Sequence, residues 1–223
     1  MQKLMMKKMM IKPKLVAFNM YETWIDKWTT ENPYKKLFSI LWIEKNIATQ
    51  LSYLLMTSPN TIEDILPEEI KNKPNFDTEL SHFYDDVWVQ LSGLKLYPDF
   101  ESTIQFLKNN GYQTAVVSNL SKLYAYPIDH MIPPETFDYK ILSFEVGTAK
   151  PDPKIFEELQ KQSGIPTQET IMIWDSFHAD VKWAFAAGIA PIHINRSKPW
   201  ITQHWRYTQI SALKDIEELL RWF

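Results

Sequence analysis

The chain has 223 residues, of which 45% are hydrophobic and 23% charged, and its formal net charge is −3. This composition is typical of a folded globular protein, and the near balance of basic and acidic residues argues against a surface built mainly for nucleic acid or anionic lipid. Because the chain has no cysteine, disulfide bonds, thiolate metal sites and a cysteine nucleophile are excluded.

Lysines and methionines alternate through the segment before Leu15. The apolar runs between those lysines are too short for the core of a signal peptide, so we interpret the segment as a flexible basic lead-in. No window of the sequence reaches the length of a membrane span. We therefore expect a cytoplasmic protein that does not contact a membrane.

The first predicted strand is Leu15 to Phe18, a continuous apolar run typical of a strand that is buried on both faces. About ninety residues of different character lie between this strand and the next recognisable one, and within them Asn32 and Pro33 suit the N-cap and first turn of a helix. Thr61 and Asp64 predict a capping box. Further apolar residues recur at helical spacing and predict two longer helices: Leu37, Ile40, Leu41, Ile47, Leu51, Leu54 and Leu55, and then Leu80, Phe83, Val87 and Leu91.

The second half of the chain repeats one pattern three times, in which a helix ends at a glycine and an apolar strand follows. Its members are Phe100 to Asn110 with Gly111 and Thr114 to Val117, Lys154 to Ser163 with Gly164 and Ile171 to Trp174, and Val181 to Ala187 with Gly188 and Ile189 to Ile194. A last amphipathic helix is predicted over Ser211 to Phe223. Alternating helices and strands predict an α/β fold with a doubly wound parallel sheet.

Polar residues stand where the predicted strands end, and ligands of such sheets bind at that edge. They are Asn19, Tyr21 and Thr23 after the first strand, Ser118 and Asn119 after the second, Lys150 in a later loop, and Asp175 with Asp180 after the third. Together these residues predict a binding or catalytic site.

The order and spacing of these motifs resemble the haloacid dehalogenase-like (HAD) superfamily of hydrolases, and the resemblance runs from about Leu15 to Ile194. It implies a Rossmann-type core formed by residues 1–23 and 97–223. The intervening residues 24–96 correspond to an inserted α-helical cap above the site.

The resemblance also implies roles for individual positions. Asn19 stands where the family has an aspartate nucleophile, Tyr21 where it has an aspartate acid/base, and Thr23 matches in kind. Ser118 matches the residue that holds the transferred group, and Lys150 matches the lysine that neutralises charge beside the nucleophile. Asp175 and Asp180 match the acids that hold magnesium.

A carboxamide is a poor nucleophile, so Asn19 is not expected to form an aspartyl intermediate. The change also leaves magnesium with one anionic ligand fewer, which weakens the expected Mg²⁺ site at Asp175 and Asp180. The leading hypothesis is a catalytically impaired family member, a pseudoenzyme that binds a small phosphorylated or carboxylated metabolite, or a protein partner. Ser118, Asn119, Lys150 and Thr23 are the candidate ligand-binding residues.

Several alternatives stay open. The segment Asn19 to Thr23, with Tyr21 at its centre, is similar to the first motif of the family's haloacid dehalogenase branch. The chain is therefore alternatively an active hydrolase of the phosphatase or dehalogenase type. A further alternative is a variant whose nucleophile was engineered to asparagine. Lys150, Asp175 and Asp180 alternatively form a structural ion-pair cluster. Ser118 and Asn119 alternatively bond only the local backbone.

A second alternative is an interaction module that uses the aromatic residues. Trp24, Trp28 and Trp42 are expected to pack within the core or between cap and core, although they would also suit an apolar pocket. The segment from Arg196 to Tyr207 interleaves basic and aromatic residues, which suits either a docking surface or a loop folded against the sheet edge. Nucleic-acid binding is not expected.

Overall fold

The computed structural model describes residues 11–27, 29–176, 187–197, 201–203 and 207–221. Most of the basic lead-in and most of the helix predicted over Val181 to Ala187 lie outside the described residues. Asp180 and Trp28 also lie outside them, so the predictions for these two residues stay predictions.

The fold is built on a mainly parallel sheet in which β1 lies between β4 and β6. The strands of the described residues are, in chain order, β1 (Leu15–Phe18), β2 (Ile25–Asp26), β3 (Lys95–Leu96), β4 (Gln113–Ser118), β5 (Tyr139–Leu142), β6 (Thr170–Trp174), β7 (Ala190–Ile194), β8 (Thr202–Gln203) and β9 (Thr208–Ile210). The main sheet has the order β5-β4-β1-β6-β7-β9-β8, in which β8 pairs antiparallel with β9 and the other neighbours are parallel. Because β4 and β6 flank β1, the winding direction reverses beside β1. The predicted doubly wound α/β sheet is confirmed.

The α-helices of the described residues are, in chain order, α1 (Pro33–Ile40), α2 (Lys45–Thr57), α3 (Ile62–Ile65), α4 (Glu68–Lys71), α5 (Phe76–Ser92), α6 (Phe100–Asn109), α7 (Tyr126–His130), α8 (Ser143–Val146), α9 (Lys154–Ser163) and α10 (Asp215–Leu220). The main sheet is covered on both faces by apolar clusters to which these helices contribute. On β1, Leu15 and Ala17 pack into one apolar cluster while Val16 and Phe18 pack into the other. This alternation explains why the whole strand is apolar and has no exposed residue.

Helices α1 to α5 form an insertion between β1 and β4. The short strands β2 and β3 pair antiparallel near the two ends of this insertion. The side chain of Asn32 accepts a hydrogen bond from the backbone N–H of Lys35, and Thr61 and Asp64 form both bonds of the predicted capping box. Both predicted helix starts are therefore confirmed.

Two of the predicted helices differ from the observed ones. The last helix begins at Asp215 rather than Ser211, because the Asp215 carboxylate accepts hydrogen bonds from the backbone N–H groups of Ser211 and Ala212 and holds them in a turn. The predicted stripe of the first longer helix is split between α1 and α2, and its members Ile40, Ile47 and Leu54 are 36%, 37% and 41% exposed.

The tryptophans of the insertion also behave differently from one another. Trp24 is fully buried and its ring stacks on Phe100 at 4.7 Å, as predicted. The packing prediction for Trp42 is wrong, since this residue is 87% exposed. Trp42 follows α1 with a left-handed φ of 54°, which turns the chain and carries its ring into solvent.

The described part of the basic aromatic segment folds against the sheet edge. β8 and β9 extend the sheet beyond β7, and the Arg196 guanidinium lies 3.6 Å from the ring centroid of Tyr97. The described residues of this segment thus pack at the sheet edge, whereas the docking surface stays a prediction, because Lys198, Trp200, His204, Trp205 and Arg206 lie outside the described residues. Across the described ranges, no helix is long and apolar enough to span a bilayer.

Candidate active site at the carboxyl edge of the sheet

Four of the predicted site residues meet at the carboxyl edge of the sheet. Asn19 directly follows β1, Ser118 ends β4 and Asp175 directly follows β6, so the three neighbouring strands present them at one edge. Lys150 reaches the same place from the loop between α8 and α9. The structure therefore brings these four side chains together, and their role as a binding or catalytic site stays a prediction.

Asn19 is the centre of this cluster, because its carboxamide bonds to all three of the other side chains. The Asn19 Oδ1 atom accepts hydrogen bonds from the Lys150 Nζ at 2.9 Å and from the Ser118 Oγ at 3.2 Å. On the opposite side, the Asn19 Nδ2 donates to the Asp175 Oδ1 at 2.8 Å. The amide therefore separates the ammonium group from the carboxylate and contacts each with the atom of complementary polarity.

The backbone of Lys150 is fixed by Asn119. The Asn119 Oδ1 accepts from the backbone N–H of Lys150 at 2.7 Å, and its Nδ2 donates to the carbonyl of Lys150 at 2.6 Å. The Lys150 Nζ also donates to the carbonyl of Val117 at 3.2 Å. The alternative in which Ser118 and Asn119 bond only the local backbone is thus wrong: Ser118 bonds a side chain, and Asn119 bonds the backbone of a distant loop.

Asp175 has a second contact, which the sequence analysis missed. The backbone carbonyl of Asp175 lies 3.0 Å from the Nε2 of His193 on the neighbouring strand β7. His193 is paired in register with Trp174, the residue before Asp175. In the sequence, only the pairing of the strand that ends at Trp174 with the strand that contains His193 would have indicated this contact.

Tyr21 points away from the Asn19 cluster. Its hydroxyl donates a hydrogen bond to the backbone carbonyl of Tyr124 at 2.9 Å, and the two rings meet edge to face at 6.0 Å. Burial raises the pKa of Tyr21 well above its usual value, so the phenol stays protonated. At the position where the resemblance implies an aspartate acid/base, the chain carries a phenol whose proton is already donated to the backbone.

Thr23 and Glu22 complete the turn after β1. Thr23 is fully buried, and its carbonyl accepts a hydrogen bond from Arg196. Its hydroxyl has no hydrogen-bond partner among the described residues. Glu22 has a left-handed φ of 58°, and burial together with the charge of Asp175 raises the pKa of its carboxyl.

The cluster offers two kinds of group to a ligand. The Lys150 ammonium and the Ser118 hydroxyl are donors that suit the oxygen atoms of a phosphate or carboxylate. Of the two acids predicted to hold a metal, Asp175 lies within the described residues and Asp180 does not. Within the described ranges, no three His, Asp or Glu side chains come together as a metal-binding group. Asn19 carries no charge and supplies no nucleophilic carboxylate.

Comparison with known proteins identifies a family. A model described as haloacid dehalogenase-like hydrolase matches residues 29–188, a range that begins after Asn19 and contains Ser118, Lys150 and Asp175. A glyceraldehyde 3-phosphate phosphatase of Methanothermobacter thermautotrophicus is 33% identical over 113 residues, which is 48% of this chain and 48% of that protein. The chain spans about half the length of the curated relatives it matches.

Solved structures share the fold over most of the chain. A 2-haloacid dehalogenase from Pseudomonas syringae pv. Tomato superposes with a TM-score of 0.68 at 18% identity, covering 95% of this chain and 100% of that one. A HAD-family enzyme of Bacteroides thetaiotaomicron, solved with magnesium and inorganic phosphate, has a TM-score of 0.60 at 19% identity and covers 84% of this chain and 97% of that one.

Proposed function

The chain belongs to the haloacid dehalogenase-like hydrolases, and from this premise we propose that it binds a small phosphorylated or carboxylated metabolite without forming an aspartyl intermediate. The observation that carries the proposal is the bonding of Asn19 to Lys150 and Asp175, at 2.9 Å and 2.8 Å. The position of the nucleophile holds an uncharged amide whose oxygen and nitrogen are both in use, beside an ammonium group and a hydroxyl group of the kind that bind anions.

The electrostatics of the cluster support an anionic ligand. With asparagine in place of aspartate, the site carries one negative charge fewer, so the Lys150 ammonium attracts an incoming anion against less opposing charge. The Ser118 hydroxyl, which donates to the Asn19 oxygen, lies on the same side as Lys150. An entering phosphate or carboxylate group would accept from Lys150 and compete with the Asn19 oxygen for the single proton of this hydroxyl.

The helical insertion is, in this proposal, the cap that selects the ligand. The Tyr34 hydroxyl of α1 bonds the Ser121 hydroxyl at 2.9 Å, and the Tyr124 hydroxyl donates to the Gln90 side chain of α5 at 2.7 Å. Both contacts join the insertion to the loop that follows Ser118. Residues 24–96 therefore have a fixed attachment close to the site.

Titration with inorganic phosphate tests this proposal. The unaltered chain should bind phosphate saturably in isothermal titration calorimetry. Lys150→Gln should raise the dissociation constant about tenfold or more, because a charge-assisted hydrogen bond is lost. Lys154→Gln, at an exposed lysine on the following helix, is the matched control and should leave the affinity unchanged. Equal affinity in the unaltered chain and in Lys150→Gln would refute the proposed site.

A second candidate function is an active phosphatase that works without Asn19 as the nucleophile. The matched relative is named a phosphatase, and Ser118, Lys150 and Asp175 are retained together, which favours this candidate. It requires turnover that Lys150→Ala and Asp175→Ala both abolish. Activity that is identical in these variants, and that declines as the unaltered chain is purified further, would come from a contaminant.

A further inference from the structure

The orientation of the Asn19 carboxamide is determined by its partners. An ammonium group is only a donor and an ionised carboxylate is only an acceptor. The Asn19 oxygen must therefore face Lys150, and its NH₂ group must face Asp175, as observed at 2.9 Å and 2.8 Å. Turning the amide over would place NH₂ against the ammonium and oxygen against the carboxylate.

This orientation does not fit a magnesium ion between the ends of β1 and β6. Magnesium takes oxygen ligands at about 2.0 to 2.1 Å in octahedral geometry. The atom of Asn19 that faces Asp175 is an amide nitrogen, which points a hydrogen at the carboxylate and has no lone pair free for a metal. The Asn19 oxygen, which would be the metal ligand, is directed at Lys150 and Ser118.

We propose that the hydrogen bond from Asn19 to Asp175 replaces a divalent cation as the link between these two strand ends. A carboxylate at position 19 would face the Asp175 carboxylate at the same short separation, and the repulsion between them would call for a cation. The amide supplies the positive end of an N–H dipole instead. This inference concerns the metal alone and does not depend on whether the site binds an anion.

Thermal unfolding with and without magnesium tests the inference. The full chain, Asn19→Asp, and the double variant Asn19→Asp/Asp175→Asn are compared in MgCl₂ and in EDTA at equal ionic strength. The melting temperature of the unaltered chain should change by less than about 1 °C. Asn19→Asp should melt lower in EDTA and rise by about 5 °C or more when magnesium reaches about 100 times its dissociation constant.

The double variant is the matched control. It exchanges the carboxylate and the carboxamide between the two positions, so one donor and one acceptor again face each other. We expect its melting temperature to be insensitive to magnesium. A magnesium response of the unaltered chain equal to that of Asn19→Asp would overturn the inference, and so would an Asn19→Asp variant that does not respond.

A direct titration covers the case in which Asn19→Asp does not fold in EDTA. Magnesium is titrated into the unaltered chain and into Asp175→Asn by calorimetry. The inference expects no saturable binding that depends on Asp175. Saturable binding to the unaltered chain that disappears in Asp175→Asn would show that the ion binds with Asn19 in place, and would overturn the inference.

Discussion

At the scale of single residues, Glu22 is the position whose backbone conformation suits its residue type least. It has a φ of 58°, in the left-handed region where a side chain costs about 1 to 2 kcal/mol and glycine fits easily. Its carboxylate accepts a long hydrogen bond from the Tyr97 hydroxyl at 3.4 Å and also a hydrogen bond from the backbone of Lys27. The residue nevertheless adds strain to the turn after β1.

Replacing Glu22 should stabilise the protein only where the Cβ atom is removed. Glu22→Gly should raise the free energy of unfolding by about 1 kcal/mol relative to Glu22→Ala, because both lose the carboxylate and only glycine relieves the strain. Urea denaturation of the two variants measures this difference. An alanine variant as stable as the glycine variant would mean that the backbone at this position carries no strain.

At the scale of elements, the start of α1 depends on one side chain. The Asn32 Oδ1 accepts from the backbone N–H of Lys35 at 3.0 Å, and Pro33 occupies the first turn, where no donor is needed. The bond satisfies one of the N–H groups that the first turn leaves without a helical partner. Since α1 also holds Tyr34 against Ser121, its start affects the attachment of the insertion.

Removing this cap should weaken the helix measurably. Asn32→Ala should lower the free energy of unfolding by about 1 kcal/mol, within a range of about 0.5 to 2 kcal/mol, whereas Asn32→Ser keeps an acceptor and should stay close to the unaltered chain. Chemical denaturation compares the two. Equal losses in both variants would show that the capping bond does not contribute to stability.

The elements that the sequence predicted best are those with a continuous physical signal. β1 is apolar at every position and was predicted with its observed ends, and the helix Lys154–Ser163 ends at Gly164, whose φ of 68° is left-handed. β5 was missed because Tyr139–Leu142 is short and its first two residues are only half-buried. The helix over Ser211 to Phe223 was placed too early because its apolar residues continue through a turn held by Asp215.

The candidate site was predictable in part. The meeting of Asn19, Ser118 and Asp175 follows from the rule that parallel strands end at one edge, whereas Lys150 reaches them from a loop between two helices. The orientation of Tyr21 toward Tyr124 does not follow from it, because Tyr124 lies in a 3₁₀ turn that has no periodic pattern. Contacts between two irregular segments depend on packing, and neither spacing nor residue type indicates them.

At the scale of the whole molecule, Asp99 joins segments that are distant in the sequence. Its Oδ2 accepts from the backbone N–H of Leu213 at 2.6 Å, and its carboxylate forms an ion pair with Arg196 at 3.3 Å. The Asp99 and Arg196 side chains are only 13% and 19% exposed. The pair connects the start of α6 with the loop after β7 and the segment before α10.

Neutralising Asp99 should destabilise the fold as a unit. Asp99→Asn keeps the volume but leaves the Arg196 guanidinium without its counter-ion, and should lower the free energy of unfolding by about 2 to 3 kcal/mol. Glu101→Gln, at an exposed carboxylate of the same helix, is the control and should cost less than about 1 kcal/mol. Similar losses in the two variants would contradict a structural role for the ion pair.

Across the molecule as a whole, the carboxamide of Asn19 cannot form an aspartyl intermediate, while Ser118, Lys150 and Asp175 stay bonded around it. The hydrogen bonds from Lys150 and Ser118 to Asn19 are the contacts that an aspartate at this position would also accept. At position 19, the difference from a carboxylate nucleophile is therefore the NH₂ group that stands in place of one carboxylate oxygen.

The most direct test measures phosphate release and halide release by the purified chain and by Asn19→Asp, side by side on phosphoesters and haloacids, with and without magnesium. We expect no turnover by the unaltered chain, and turnover by Asn19→Asp in magnesium on substrates whose leaving group needs no protonation, because Tyr21 does not supply a carboxyl acid. Turnover by the unaltered chain that Lys150→Ala abolishes would contradict it.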